Sequence, residues 1–139
     1  MISYETMDSY RNLEVWKVGI ELVKEVYTLT TKFPKEELYG LVAQMKRAST
    51  SILANIAEGA GRYTYADKAN KFIIARGECS ETEAFLFIAV ELNLLKISDI
   101  KRPLELIEHE RKLLSGLIAS CRRRNTQRIN RYTDTPIHS

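Results

Sequence analysis

Residues 38–62, LYGLVAQMKRASTSILANIAEGAGR, carry a core face, a polar stripe and a small-residue back at a single helical spacing. Leu38, Leu41, Val42, Met45, Ala48, Ser49, Ile52, Leu53 and Ile56 recur at steps that place them on one apolar helix face. Gln44, Arg47, Ser51, Asn55 and Glu58 follow the same steps and form a narrow polar stripe beside it. The remaining surface holds Ala43, Thr50, Ala54 and Ala57, with Lys46 as its only charge. A surface that small lets another helix lie closely on it. The chain is therefore expected to fold around this helix, with neighbours on more than one side.

Three further helices are predicted around it. The first runs from about Leu13 to Thr31, with Asn12 as its N-cap. Its core face is Leu13, Trp16, Ile20, Val23, Tyr27 and Thr30, broadened by Val15, Val18, Leu22, Val26 and Leu29. A lone Trp in such a stripe reads as core rather than as a base-stacking platform. Phe33-Pro34 ends the helix, because proline lacks the amide donor and biases its predecessor away from helix. The central helix then starts near Lys35 to Glu37 and closes at Gly59-Ala60-Gly61. The G-x-G there has neither a preceding strand nor a following G-K-[ST], so it does not read as a phosphate loop.

Thr64-Tyr65-Ala66-Asp67 has capping-box spacing and predicts a third helix from Tyr65 to about Asn93. Its spine is Ala69, Phe72, Ile73, Arg76, Cys79, Thr82, Leu86, Val90 and Asn93, with Gly77 marking a close helix crossing. Ser98 is the expected N-cap of a fourth helix reaching about Arg123, with Pro103 in its first turns. These elements predict an all-α fold, an antiparallel up-down-up-down four-helix bundle over residues 13–124. An N-terminal arm, 1–12, precedes it, and a flexible basic tail, 125–139, follows it.

With 139 residues, 45% of them apolar, the chain can bury a core without metal or disulfide. No apolar run approaches the roughly 20 residues that span a bilayer, and the N-terminus is polar rather than leader-like, so a cytoplasmic protein without a membrane partner is expected. Cys79 and Cys121 share no metal-ligand spacing and fall in apolar-patterned helices. A di-iron bundle needs Glu-x-x-His on two helices, but Leu106 stands where His109 would need its Glu. No cofactor and no metal are expected. Net charge is only +3, yet residues 38–77 have six basic and two acidic side chains, and residues 122–139 have five and one.

The run GLVAQMKRASTSILANIAEGAGR, read with NLEVWK and VYTLTTKFPKEE before it and ARGECSETEAFLF after it, resembles a four-helix-bundle family. That family is encoded in intervening sequences of bacterial 23S ribosomal RNA genes. The elements Q-x-x-R-A, S-I-x-x-N-I-A-E-G and F-P-x-x-E stand in its order and spacing between about Asn12 and Leu95. A related branch is the accessory variability protein of diversity-generating retroelements, which assists a reverse transcriptase. The resemblance implies a small basic bundle assembling as a homopentamer, with nucleic acid bound in the retroelement branch and a reverse transcriptase as that branch's partner. Where the family commonly has Ser after Gly77, this chain has Glu78, so no polar role carries over to that position.

The candidate nucleic-acid-binding residues are Lys46, Arg62, Lys68, Lys71, Arg76, Arg122, Arg123 and Arg124, which could neutralise phosphates, with Tyr63 and Tyr65 to stack bases. Gln44, Arg47, Asn55, Glu58 and Ala54 read as structural or assembly residues, with an Arg47–carboxylate pair among their contacts. The expected function is that of a non-enzymatic accessory protein, a homo-oligomer binding structured RNA. One enzyme alternative is a metal-independent HEPN-like ribonuclease, in which Arg102 and His109 resemble an R-x(4 to 6)-H motif. Against it, His109 is expected on a solvated or interface face amid Glu105, Glu108 and Glu110. A purely structural oligomer is the other alternative.

Overall fold

The computed structural model describes residues 10–133. Residues 1–9 of the expected arm and 134–139 of the expected tail, including His138, lie outside the described residues. Four helices form the fold: α1 (Glu14–Thr30), α2 (Ala43–Ala60), α3 (Tyr65–Glu91) and α4 (Lys101–Thr133). No strand occurs among the described residues. Successive helices pack on one another and α1 closes the ring against α4, so each helix has two main neighbours. Contacts between neighbours run in opposite chain directions. Arg124 meets Tyr65 and Arg111 meets Glu83, while Lys68 meets Ala60 and Arg47 meets Glu81. The bundle is antiparallel, as its periodicity predicts.

The core joins Leu22 and Val26 of α1, Met45, Ile52 and Ile56 of α2, Phe72, Cys79 and Leu86 of α3, and Ile107, Leu114 and Ile118 of α4. Burying each large aliphatic side chain stabilises the fold by about 1.5–3 kcal/mol before the entropy of ordering is counted. In α1 the seam is Val15, Gly19, Leu22, Val26 and Leu29, whereas Leu13 and Tyr27 are exposed. Trp16 is only half-buried and meets the Tyr10 ring edge-on at 5.0 Å. The helix is turned so that Gly19 faces the bundle axis. A Cβ there would come within 2.7 Å of the Leu53 side chain.

Several element ends differ from expectation. Leu13, not Asn12, holds the N-cap position of α1, without a side-chain cap. The central helix does not begin at Lys35. A 3-10 turn (Lys35–Glu37) and a π-type turn (Leu38–Val42) precede it, and Gly40 leaves helical geometry at φ −106°, ψ −107°. Glycine is the weakest helix former after proline, so the junction breaks there and leaves Leu38 and Tyr39 exposed. Asn93 is no part of the α3 spine. It takes the left-handed conformation at φ 60° that closes a helix, and the Leu94 amide returns to the Ala89 carbonyl at 2.9 Å.

A 3-10 turn (Ile97–Ile100) precedes α4 with Lys96 at its N-cap position, and the capping side chain is that of Asp99 rather than Ser98. Its carboxylate accepts from the Lys96 amide at 2.8 Å and from Lys32 Nζ at 2.9 Å. Pro103 sits in the first turn, where the missing amide would have no helical partner. The helix then continues to Thr133, ten residues beyond the expected Arg123, so residues 125–133 are helix rather than irregular tail. No Gly or Pro lies between Gly116 and Thr133 to stop it.

Among the described residues of the chain, Gly77 is not at a helix crossing. It is exposed, and a Cβ there would meet nothing within 4 Å. The tight approach is at Gly59, where a Cβ would fall 2.6 Å from the Phe72 ring. Gly59→Ala should therefore cost about 1–3 kcal/mol of stability, since a buried ring cannot yield easily. Gly77→Ala should instead stabilise by about 0.5–1 kcal/mol through helix propensity. Urea unfolding of the two variants measures both, and the reverse order would contradict this packing.

Candidate nucleic-acid interface

The antiparallel connection from α2 to α3 brings the end of one helix beside the start of the other. Thr64 Oγ1 accepts from the Asp67 amide at 3.1 Å and fixes the first turn of α3. One turn on, Lys68 Nζ donates to the Ala60 carbonyl at 2.9 Å, supplying a cation where α2 exposes its last carbonyls. Cys121 of α4 feels both Lys68 and Arg124, which oppose the upward shift that burial imposes on its thiol. The end of α2, the start of α3 and the last turns of α4 therefore meet at one end of the bundle.

Six of the eight candidate cations are gathered there: Arg62, Lys68, Lys71, Arg122, Arg123 and Arg124. They are not equally available to a ligand. Lys71 pairs with Glu58 at 2.9 Å and holds that carboxyl below its ordinary range, and Arg62 approaches the same carboxylate at 3.9 Å. Arg124 lies over the Tyr65 ring, 5.6 Å from its centroid, and donates to the Tyr65 hydroxyl at 3.5 Å. Arg122 and Arg123 are exposed, and their guanidinium groups have no ion pair or hydrogen bond among the described residues. Tyr63, in the loop just before α3, is 92% exposed.

Lys46 and Arg76 are placed elsewhere. Lys46 stands 4.6 Å over the Tyr27 ring, on the α1–α2 side, and Arg76 donates to Ser115 Oγ at 3.3 Å further along α3 and α4. Arg128 and Arg131, absent from the candidates that the sequence suggests, follow Arg124 at helical steps of four and three along α4. Together with Arg124, Gln127 and Tyr65 they line one cleft. Their spacing is visible in the sequence, but it has meaning only if the helix continues past Arg123.

The polar stripe of α2 is largely satisfied from within the bundle. Arg47 Nε donates to Gln44 at 3.0 Å, and its guanidinium pairs with Glu81 and, at 3.6 Å, with Glu78 of α3. Burial, followed by the nearby Glu81 carboxyl, raises the Glu78 carboxyl above its ordinary range despite Arg47. Asn55 donates to the Ser51 carbonyl at 2.8 Å. Ala43 and Ala54 are exposed on the back of α2, with Thr50 and Ala57 half-buried.

Arg102 and His109 do not converge. Seven residues on one helix separate them by about 10 Å along the axis, and each has its own partner. Arg102 pairs with Glu105 at 3.9 Å and His109 Nε2 approaches Glu14 at 3.3 Å. Among the described residues no group of three His, Cys, Asp or Glu is placed to hold a metal ion, and no helix is long and apolar enough to cross a membrane.

Comparison with known proteins adds one positive finding. The sequence model of a family described as 23S rRNA-intervening sequence protein matches residues 11–116, more than half of the chain. No curated protein matches the chain.

Glu110 does not share a solvated face with Glu105 and Glu108, as its polarity suggests. It is fully buried, and neither carboxyl oxygen has a hydrogen-bond partner among the described residues. Its position three or four residues from Leu106, Ile107 and Leu114 marks it as inward-facing. A Cβ on Gly19 would meet its Oε2 at 2.6 Å, so the glycine leaves the room it occupies. Burial pushes the carboxyl from its ordinary 4.5 up to about 8. The folded chain thus keeps a proton that the unfolded chain releases. Stability is greatest below about pH 4.5 for this group and falls as pH rises through about 8. Glu110→Gln should flatten the fall in unfolding free energy between pH 5 and 9, which amounts to about 4 kcal/mol at most. Denaturant titrations across that window test it, and an unchanged slope in the variant would assign the effect to another group.

Proposed function

Because the chain belongs to the 23S rRNA-intervening sequence protein family, whose description names that RNA and no reaction, we propose that it is a non-enzymatic RNA-binding accessory protein. It acts in the cytoplasm as a homo-oligomer, with structured RNA as its ligand. The observation that carries this reading is the concentration of cations at one end of the bundle, where the guanidinium groups of Arg122, Arg123 and Arg128 are exposed and lack partners among the described residues. Cations already neutralised by protein carboxylates add little to phosphate binding, whereas these are available to displace counterions from RNA. The separation of Arg102 from His109 disfavours a ribonuclease centre built within one subunit.

Self-assembly is supported by the outward face of α3. Its exposed positions after Asn70 and before Glu91 are Ile74, Gly77, Ser80, Ala84, Phe87 and Ile88, without a single charge. The exposed positions of α1, by contrast, include Glu14, Lys17, Glu21 and Lys24. A closed ring needs two different complementary surfaces on each subunit. The apolar side chains of α3 supply one, and the small-residue back of α2 around Ala54 supplies the other. Five copies is the number that the family resemblance favours. Repetition of the basic end around a ring would raise avidity by about 10² to 10⁴ where the sites reach one RNA.

Two measurements test the two halves of this reading. Changing Arg122, Arg123 and Arg124 to Ala should weaken binding of a structured RNA and flatten log affinity against log salt by about 0.7–0.9 for each phosphate that the variant no longer neutralises. Circular dichroism should show unchanged helix content, and an unaltered salt slope would remove the interface from this end. Light scattering should give about five times the chain mass for the parent protein and a smaller species for Ile88→Arg. A monomer at tens of micromolar (~10⁻⁵ M) for the parent would contradict self-assembly.

A further inference from the structure

Tyr65 separates two clefts of different chemistry. On one side, Ala69 and Ile73 make an apolar floor edged by Asn70, Asn125 and Arg122, with a volume of about 200 Å³. That is below the roughly 300–1,000 Å³ of sites for drug-sized molecules, a scale suited to one planar ring. Asn70 and Asn125 each offer an amide donor and a carbonyl acceptor, the complement of a base edge. On the other side, Arg124, Arg128 and Arg131 stand along one face of α4 beside Gln127. Their rise of 1.5 Å per residue spaces them by about 6 and 4.5 Å along the axis, forming a short ladder of cations. No carboxylate lines either cleft among the described residues.

We propose that this end of the bundle captures unpaired nucleotides of a single strand. One base enters the Asn70–Asn125 cleft against Tyr65, and the phosphates that follow lie along Arg124, Arg128 and Arg131. A paired base has its hydrogen-bonding edge occupied by its partner and cannot enter, so the site selects loops and single-stranded segments over duplex. The inference rests on the RNA-binding reading and goes further, because a site made only of cations would not distinguish a strand with bases from one without. The sequence of the strand matters little, since asparagine amides can meet different base edges and every base presents a flat face.

Fluorescence anisotropy with a labelled short oligouridylate, and with a strand of equal length and charge made of abasic nucleotides, tests the proposal. The base-bearing strand should bind about 10-fold or more tightly than the abasic one. Asn70→Ala with Asn125→Ala should abolish that difference and leave the abasic strand's affinity as it was. Asn70 is exposed and Asn125 half-buried, so the fold should tolerate the change. Arg128→Ala should weaken both strands alike. Equal affinity for the two strands, or a difference that survives the double asparagine change, would overturn the base site while leaving RNA binding intact. Failure of either strand, and of structured RNA, to bind would overturn both.

Discussion

The approach of α2 to α3 at Gly59 and Phe72 is the contact on which the rest of the molecule depends. A side chain at position 59 would collide with the ring, and the two helices could not lie so close at the end where the chain turns back. With that contact made, the connection from Gly61 to Thr64 is short, Thr64 caps α3, and Lys68 reaches back to the last carbonyls of α2. The basic end of the bundle is a consequence of this packing. The apolar interior thereby determines where the charge is presented.

Charge is divided between internal and external use along the same helices. Arg47 and Lys71 tie α2 to α3 through Glu78, Glu81 and Glu58, while Arg111 ties α4 to Glu83 of α3. Exposed pairs of this kind contribute at most about 1 kcal/mol each, so they set register more than stability. Between Cys121 and Thr133 α4 carries no acid, and Arg122, Arg123 and Arg128 form no ion pair with neighbouring helices among the described residues. Glu110 is the converse case. Its carboxyl is held in the core with no hydrogen-bond partner among the described residues, tolerable below about pH 8 because burial keeps it neutral.

The four helices and their inward faces are legible in the sequence because period and capping residues act locally. The features that depend on packing between helices are not. Nothing in the sequence tells Gly19, Gly59 and Gly77 apart, and only the packing shows that a Cβ on either of the first two would meet neighbours while one on the third would meet none among the described residues. Polarity alone puts Glu110 outside, whereas its place in the repeat through Ile107 and Leu114 puts it inside. An apolar stripe ends α4 near Arg123, but the stripe marks only the part that has neighbours. A helix that runs past its bundle needs good formers and no breaker, and it drops the stripe when it leaves the other helices. The Arg124–Arg128–Arg131 ladder lies on that overhang, which is why the apolar period does not reveal it.

On the proposed function, RNA meets the protein at the end where α2, α3 and the overhang of α4 converge. Arginine modification by phenylglyoxal, read by mass spectrometry with and without a structured RNA, tests it on the unaltered chain. Arg122, Arg123 and Arg128 should be protected by RNA, while Arg102, at the opposite end of the bundle, should remain reactive. Protection of Arg102 in their place, or equal protection of all four, would contradict the claim.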